Sequence, residues 1–195
     1  MKRSEELKLI RRAAAGDRDA AEVFIRAFQG QLFAYMLRMS GRPDIAEDIV
    51  QDAFVRVLTN LDRFDPRFRF STWLFTIARR LYLNTVQKHA PSYNSEVLEG
   101  RAGTRNDAPE DIAIERDSGA ILKDQLQRGL AMLTIEQREI LILFHQQNWP
   151  IWLIAQNLEM PEGTVKSHLH RGRRRMREIL TQADSTIMSV EEVLS

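Results

Sequence analysis

The chain has 195 residues, with 28 Lys plus Arg against 27 Asp plus Glu, a formal net charge of +1 and no cysteine. That length suits one large domain or two small ones, and the missing cysteine excludes disulfides, thiolate metal sites and thiol catalysis together. The first twenty residues carry acids and no apolar core, so no secretory signal peptide and no membrane insertion are expected, and no run approaches the roughly 20 apolar residues of a bilayer span.

A net charge near zero argues against a nucleic-acid binder only if the charge is evenly spread, and it is not. Residues 63–90 and 164–180 each sum to +5, whereas 44–62 and 91–118 each sum to −4. Alternating blocks of this kind imply different partners for different faces.

In chain order, 17–39 reads as one or two helices with Phe24, Ile25, Phe28, Leu32 and Met36 inward. Ile45, Ile49, Val50, Ala53, Phe54, Val57, Leu58 and Leu61 recur at steps of three and four, the period of a core-facing helix. Its opposite face carries Glu47, Asp48, Gln51, Asp52 and Arg56. Phe64-Asp-Pro-Arg-Phe-Arg-Phe70 then forms a loop interleaving aromatics with cations. Ser71 or Thr72 can cap the helix that follows, in which Trp73, Leu74, Ile77, Ala78 and Leu81 form one stripe.

Residues 91–117, with Pro91, Gly100, Gly103, Pro109 and many acids, read as a flexible linker holding at most a short helix near 109–116. Helical patterning resumes at Ile121, Leu122, Leu126, Leu130 and Leu133. Thr134-Ile-Glu-Gln137 fits a capping box that opens the helix of Ile140, Leu141, Leu143 and Phe144. The expected fold is therefore all-α: two small helical domains at 1–90 and 119–181, an acidic linker at 91–118 and a tail at 182–195. Within the tail, Ser189-Val-Glu-Glu192 can cap one short helix.

The C-terminal stretch from Asn148 to Leu180 is the most informative. A short helix from Pro150, read as a first-turn proline, to Asn157 breaks at Leu158-Glu-Met-Pro161, and a second helix starts near Glu162. Val165, Leu169, Gly172 and Met176 share one face of the second helix; Thr164, Ser167, His168, Arg171 and Arg175 share another. Two short helices about a tight turn, the second presenting hydroxyl, imidazole and guanidinium groups, suit the reading of a DNA major groove. His168 and His170 do not share a helix face, and no carboxylate or thiolate completes a tetrahedral set, so no metal is expected. In the loop, rings can stack on or pocket single-stranded bases while Arg67, Arg69, Arg79 and Arg80 hold the backbone. Core packing competes with base contact for Trp73 and Phe75.

These segments resemble, in order, the extracytoplasmic-function (ECF) sigma factors of the sigma-70 family. GDRDAAEVFIRAF resembles the start of the family's first domain, and DIAEDIVQDAFVRVLTNLDRF its docking helix for the clamp helices of the RNA polymerase β′ subunit. FRFSTWLFTIARRLYLN resembles the segment that melts promoters and reads the −10 element. LTIEQREILILF with EGTVKSHLHRGRRRMRE resembles the −35-reading domain. The resemblance makes 1–90 a region 2 domain and 119–181 a region 4 domain.

The resemblance implies a non-enzymatic specificity subunit, without cofactor, acting in the cytoplasm. Glu47, Asp48, Gln51, Asp52 and Arg56 would meet core polymerase, whose β subunit is a further expected partner. Phe64, Arg67, Phe68, Arg69, Phe70, Ser71, Trp73, Arg79, Arg80 and Asn84 would meet −10 DNA. Thr164, Lys166, Ser167, His168, Arg171, Arg174 and Arg175 would meet duplex −35 DNA, and Arg173 and Arg177 would add phosphate contacts. An anti-sigma factor is an expected partner, and the acidic linker is expected to thread toward the polymerase RNA channel.

Arg80 and Asn84 stand where relatives often carry Asn and Asp, and His168 where Arg is frequent. Pro150-Ile-Trp-Leu153 replaces a usually polar helix start, which leaves Trp149 and Trp152 open to two readings, core or partner surface. The competing function is a free-standing helix-turn-helix regulator that binds duplex DNA without polymerase. It would need neither the acidic helix nor the aromatic-arginine loop. A helical hydrolase would need an acid–base pair or metal ligands that the scattered His89, His145, His168 and His170 do not supply.

Overall fold

A computed structural model of the chain describes the backbone of residues 3–89 and 118–194 and the side chains of 3–88 and 123–182. The described residues form eight α-helices and one 3-10 turn. The chain splits into two compact units, 1–93 and 94–195, each with its own core. The expected linker, with its short helix near 109–116, lies outside the described residues, except that Ser118 already opens a helix. No described helix is long and apolar enough to cross a membrane.

The first unit contains α1 (Arg3–Ala14), α2 (Arg18–Ser40), α3 (Pro43–Leu58) and α4 (Phe70–His89). α2 packs against the other three, and α3 packs on α4. The apolar spacing does not announce α1, which buries only Glu6 and Ile10. Asp17 starts α2 by accepting the Ala20 amide at 3.0 Å. That bond first, and the Arg12 guanidinium second, hold the Asp17 carboxyl below its ordinary range. The helix stops at Gly41, whose φ of 72° is left-handed and costs a residue without Cβ little.

Pro43 opens α3, where a missing amide hydrogen costs nothing. Ala46, Ile49, Ala53, Phe54 and Val57 are buried, while Ile45, Val50 and Leu58 are half-buried. The helix ends at Leu58 because Thr59 and Asn60 side chains fold back onto the carbonyls of Val55 and Arg56. Leu61 is buried as well, from the 3-10 turn Leu61–Arg63 rather than from the helix.

α4 begins at Phe70, so Ser71 and Thr72 lie inside its first turn and do not cap it. The end of α2 is tied to α4 by the Tyr82 hydroxyl, which donates to the Met39 carbonyl at 2.9 Å in the buried core. Tyr82→Phe removes that bond and should cost about 1 kcal/mol. The cost would be read as a lower urea midpoint at unchanged slope; an unchanged midpoint would show that the bond contributes nothing net.

The second unit contains α5 (Ser118–Ala131), α6 (Ile135–His145), α7 (Ile151–Leu158) and α8 (Glu162–Leu194). Thr134 Oγ1 accepts the Gln137 amide at 3.3 Å, as its place before an apolar run requires. Arg138 reaches back to the carbonyls of Leu130, Ala131 and Leu133 at 2.8, 3.0 and 3.3 Å, a cation at the negative end of α5. α8 packs on α5, α6 and α7 through Val165, Leu169, Gly172 and Met176. At Gly172 the approach is close: a Cβ there would lie 3.0 Å from Leu141 Cδ1.

Two local expectations change and one open reading is decided. Pro150 is extended, at ψ 153°, and precedes α7 instead of occupying its first turn. Trp149 and Trp152 part ways: Trp149 is 7% exposed and belongs to the core, whereas Trp152 is 57% exposed. The tail does not start a separate helix near Ser189, because α8 runs unbroken to Leu194.

Candidate nucleic-acid interface

The helix-turn-helix of the second unit is α7, a short turn and α8. The turn is set by Glu159, which closes α7 in the left-handed region at φ 55°, ψ 39° with its amide bonded to Ala155 O. A non-glycine residue there is uncommon. Its neighbours Ala155 and Leu158 are buried, and that packing fixes the chain direction.

Advancing about 100° per residue, Gly163, Ser167, His170, Arg171 and Arg174 point away from the buried face of α8. Lys166, Ser167, His170 and Arg171 line a shallow surface depression of about 510 Å3. Ser167 donates to Gly163 O at 2.9 Å, and Arg171 Nε to Ser167 O at 3.4 Å, so both lie along the helix with capacity left for a base edge or phosphate. Lys166 faces Glu162 at 3.8 Å, and Arg174 and Arg175 share Glu178 at 3.6 and 3.4 Å. All are exposed pairs, which hold their cations weakly.

Thr164 and His168 sit at the flank and are half-buried. His168 Nδ1 is enclosed without a hydrogen-bond partner, so His168 belongs to the edge of the core more than to the open face. His170, considered in the sequence only as a metal ligand, lies on the open face instead. The signal was available in the helical angle, since His170 lies three residues from Ser167 and four from Arg174.

Arg173 is engaged elsewhere. Its Nε donates to His145 Nε2 at 3.0 Å, and its guanidinium lies 5.0 Å from the Phe144 ring centre. Accepting at Nε2 requires a neutral imidazole with its proton on Nδ1. Partial loss of hydration first, and the Arg173 charge second, push His145 below its ordinary 6.5. The folded state therefore resists protonation. The stability this provides is complete above pH 6.5 and is lost as pH falls toward the lowered value. Thermal unfolding from pH 7.5 down to 5.5 should show a steeper loss for the wild type than for His145→Gln. Parallel slopes would remove His145 from the linkage.

In the first unit, Glu47, Asp48, Gln51, Asp52 and Arg56 all stand exposed on α3. Val55, 57% exposed, lies among them, seven residues from Asp48 and four from Gln51. It was assigned to neither face in the sequence, because an apolar residue on a polar face breaks the pattern of both. Only its helical angle separates it.

The Phe64–Ser71 loop divides into buried and presented parts. Phe70 is fully buried, with ring centres of Phe24, Phe28, Phe64 and Trp73 at 4.0, 5.3, 5.7 and 5.8 Å. It is the hub of an aromatic cluster and offers no surface to a base, which corrects its place among the expected DNA contacts. Phe64, Ser71 and Trp73 are half-buried, and Phe68 is 44% exposed.

Arg67 is exposed and pairs with a near neighbour. Its Nε and Nη2 clasp the Asp65 carboxylate at 2.9 and 2.7 Å while its amide bonds Asp65 Oδ1 at 2.9 Å. The side-chain bonds first and the amide second hold the Asp65 carboxyl below its ordinary range. Behind the loop, Trp73, Arg80 and Asn84 fall on one line of α4, Arg80 and Asn84 exposed. Arg79 turns about 100° away and is half-buried.

The pattern defines a two-part helical protein with a helix-turn-helix in its second part. Residues 24–91 match the Sigma-70 region 2 model and residues 123–176 the Sigma-70 region 4 model. The ECF RNA polymerase sigma factor SigW of Bacillus subtilis is 31% identical over 182 residues, spanning 89% of this chain and 95% of the relative. EcfG of Rhodopseudomonas palustris is 30% identical over 150 residues, or 76% of this chain and 78% of the relative.

The fold is similar to that of the sigma factor RpoE of Bartonella quintana, solved with the anti-sigma factor NepR. That likeness has 24% identity and a TM-score of 0.65 over 82% of this chain and 96% of that one. The chain belongs to the ECF sigma factors of the sigma-70 family: it is a non-catalytic RNA polymerase subunit for promoter-specific transcription initiation.

Proposed function

We propose that this sigma factor divides its work among three surfaces: α3 docks on core polymerase, the Phe68 loop with α4 engages the melted −10 strand, and α8 reads the −35 duplex. The observation that carries this reading is the separation of exposed chemistry. An acidic face that ends on an exposed apolar residue, Val55, occupies α3, while arginines with one presented ring, Phe68, occupy the loop and α4. Glu47, Asp48, Gln51 and Asp52, with Val55 at the C-terminal end of the same face, suit the basic clamp helices of β′, where an apolar contact beside polar pairs adds affinity.

On the −10 side, Phe68 is the ring free to stack on or trap an unpaired base, and Arg80 and Asn84 suit strand contacts along α4. Arg69 suits a backbone contact next to them. On the −35 side, Ser167, His170 and Arg171 suit base edges. Lys166, Arg174 and Arg175 suit phosphates, which position the helix without reading sequence. The region 2 domain is assigned to 1–90 and the region 4 domain to 119–181.

The free-standing regulator reading is weaker, because it leaves the α3 face and the loop without a role. The acting compartment is the cytoplasm, where the polymerase works. An anti-sigma factor is a further proposed partner, supported by the fold likeness to a sigma factor solved in such a complex.

The reading is tested by titrating the chain against its core polymerase, then transcribing a genomic fragment library in vitro and mapping the starts. Saturable binding and starts sharing two spaced elements are expected. Binding to duplex DNA with no affinity for core would overturn it. Arg171→Ala should weaken promoter binding by about 1–3 kcal/mol if the guanidinium contacts a guanine edge. The loss should vanish on promoters changed at the contacted base pair. Equal losses on every sequence would make Arg171 a phosphate contact.

A further inference from the structure

The Phe68 loop is held from outside, by α1. Arg3 Nη2 donates to Pro66 O at 2.6 Å and to Arg67 O at 3.1 Å, the two carbonyls immediately before Phe68. On the other side of Phe68, Arg69 Nη1 lies 3.7 Å from Glu6 Oε2. Glu6 is the buried charged residue of α1, 6% exposed. A buried carboxylate needs a partner to offset lost hydration, and Arg69 is the cation that faces it here. The turn is closed from within by Phe68 N donating to Asp65 O at 3.1 Å.

We propose that Arg3 and Glu6 of α1 are positioning residues for promoter melting: they hold the loop so that the Phe68 ring stays presented to DNA instead of folding onto the aromatic cluster beneath. The inference rests on the reading of this loop as the −10 contact. The physical reason is preorganisation. A ring with a large buried cluster beside it gains by collapsing onto it. Bonding two consecutive carbonyls fixes the peptide planes that would have to rotate for that collapse. Ordering them before DNA arrives removes the entropy cost from the binding step. Glu6 fixes the far side of the turn through Arg69, at the start of α4. Neither residue needs to touch DNA.

The test uses full-length variants assembled with core polymerase on a promoter from the fragment library. Core binding, closed-complex affinity and strand opening, followed by a fluorescent base analogue in the −10 element, are read separately. Arg3→Ala and Glu6→Gln should leave core binding and closed-complex affinity unchanged and reduce strand opening about fivefold, the scale of one partly exposed charge-assisted hydrogen bond. Arg3→Lys, which retains a donor for the carbonyls, should recover much of the loss.

Phe68→Ala serves as reference, and combining it with Arg3→Ala should add no further loss, because the two act through one ring. Normal strand opening in Arg3→Ala and Glu6→Gln, beside a defective Phe68→Ala, would overturn the positioning role alone. Increased opening with Glu6→Gln would also overturn it, making Glu6 a counter-charge that withholds Arg69 from DNA. Normal opening in Phe68→Ala would sink the loop reading itself, and the inference with it.

Discussion

Reversing Asp48 and Asp52 to lysine should raise the dissociation constant for core polymerase roughly a hundredfold or more, with helicity and thermal midpoint unchanged. Both side chains are exposed on α3, so the fold does not depend on them. Against a basic surface the change replaces attraction with like-charge contact, which costs several kcal/mol. The association rate should fall as well, and more steeply at low salt, because the acidic face steers encounter before contact. Val55→Ala should act differently, speeding dissociation with little salt dependence, since it removes apolar area at the end of the patch and no charge. A fluorescence titration across an ionic-strength series separates the two effects. Unchanged affinity in the double reversal would move the docking surface off α3.

Phe68→Ala and Phe70→Ala should fail in opposite ways, although the two residues are separated by one position. Phe70 is fully buried within a cluster of four other rings. Its loss leaves a cavity and should cost about 3–5 kcal/mol, most of the stability of a small unit. It would be read as a collapse of the thermal transition and loss of every activity together. Phe68 is 44% exposed, so its removal should leave the melting temperature within experimental scatter. What it removes is a stacking surface worth about 1–3 kcal/mol per base, so open complexes should decline while closed complexes form normally. A drop in stability for Phe68→Ala equal to that of Phe70→Ala would make both rings structural plugs.

The alternation of the loop explains why the two rings could not be told apart beforehand. Phe64, Phe68 and Phe70 have the same chemistry, and a loop has no fixed period from which burial can be read. On α3 the situation is different. The 3.6-residue period placed Glu47, Asp48, Gln51, Asp52 and Arg56 outward, where the structure has them, and the same period, applied residue by residue, would also have exposed Val55. The arginines show another kind of limit. Composition counts Arg67, Arg79 and Arg173 alike, yet Arg67 is clasped by its neighbour Asp65 and Arg173 meets His145. Arg79 is turned aside on α4. Availability is a property of neighbours, and those lie across the chain.

The amino-acid sequence by itself determined the all-helical class and the two-part organisation, and its resemblance to the ECF sigma factors implied the proposed order of docking, melting and duplex-reading segments. Helical periodicity, capping residues and charge blocks are local properties, legible within a few turns of chain. The +1 total was the least informative of these numbers, because it averages faces that carry opposite signs. Only the tertiary structure decided which ring of the loop is presented and that Trp149 and Trp152 separate. Only it brought Arg3 and Glu6 to the loop, across sixty-odd residues. Burial and long-range pairing depend on which helices pack together, and no local pattern in α1 names its partner.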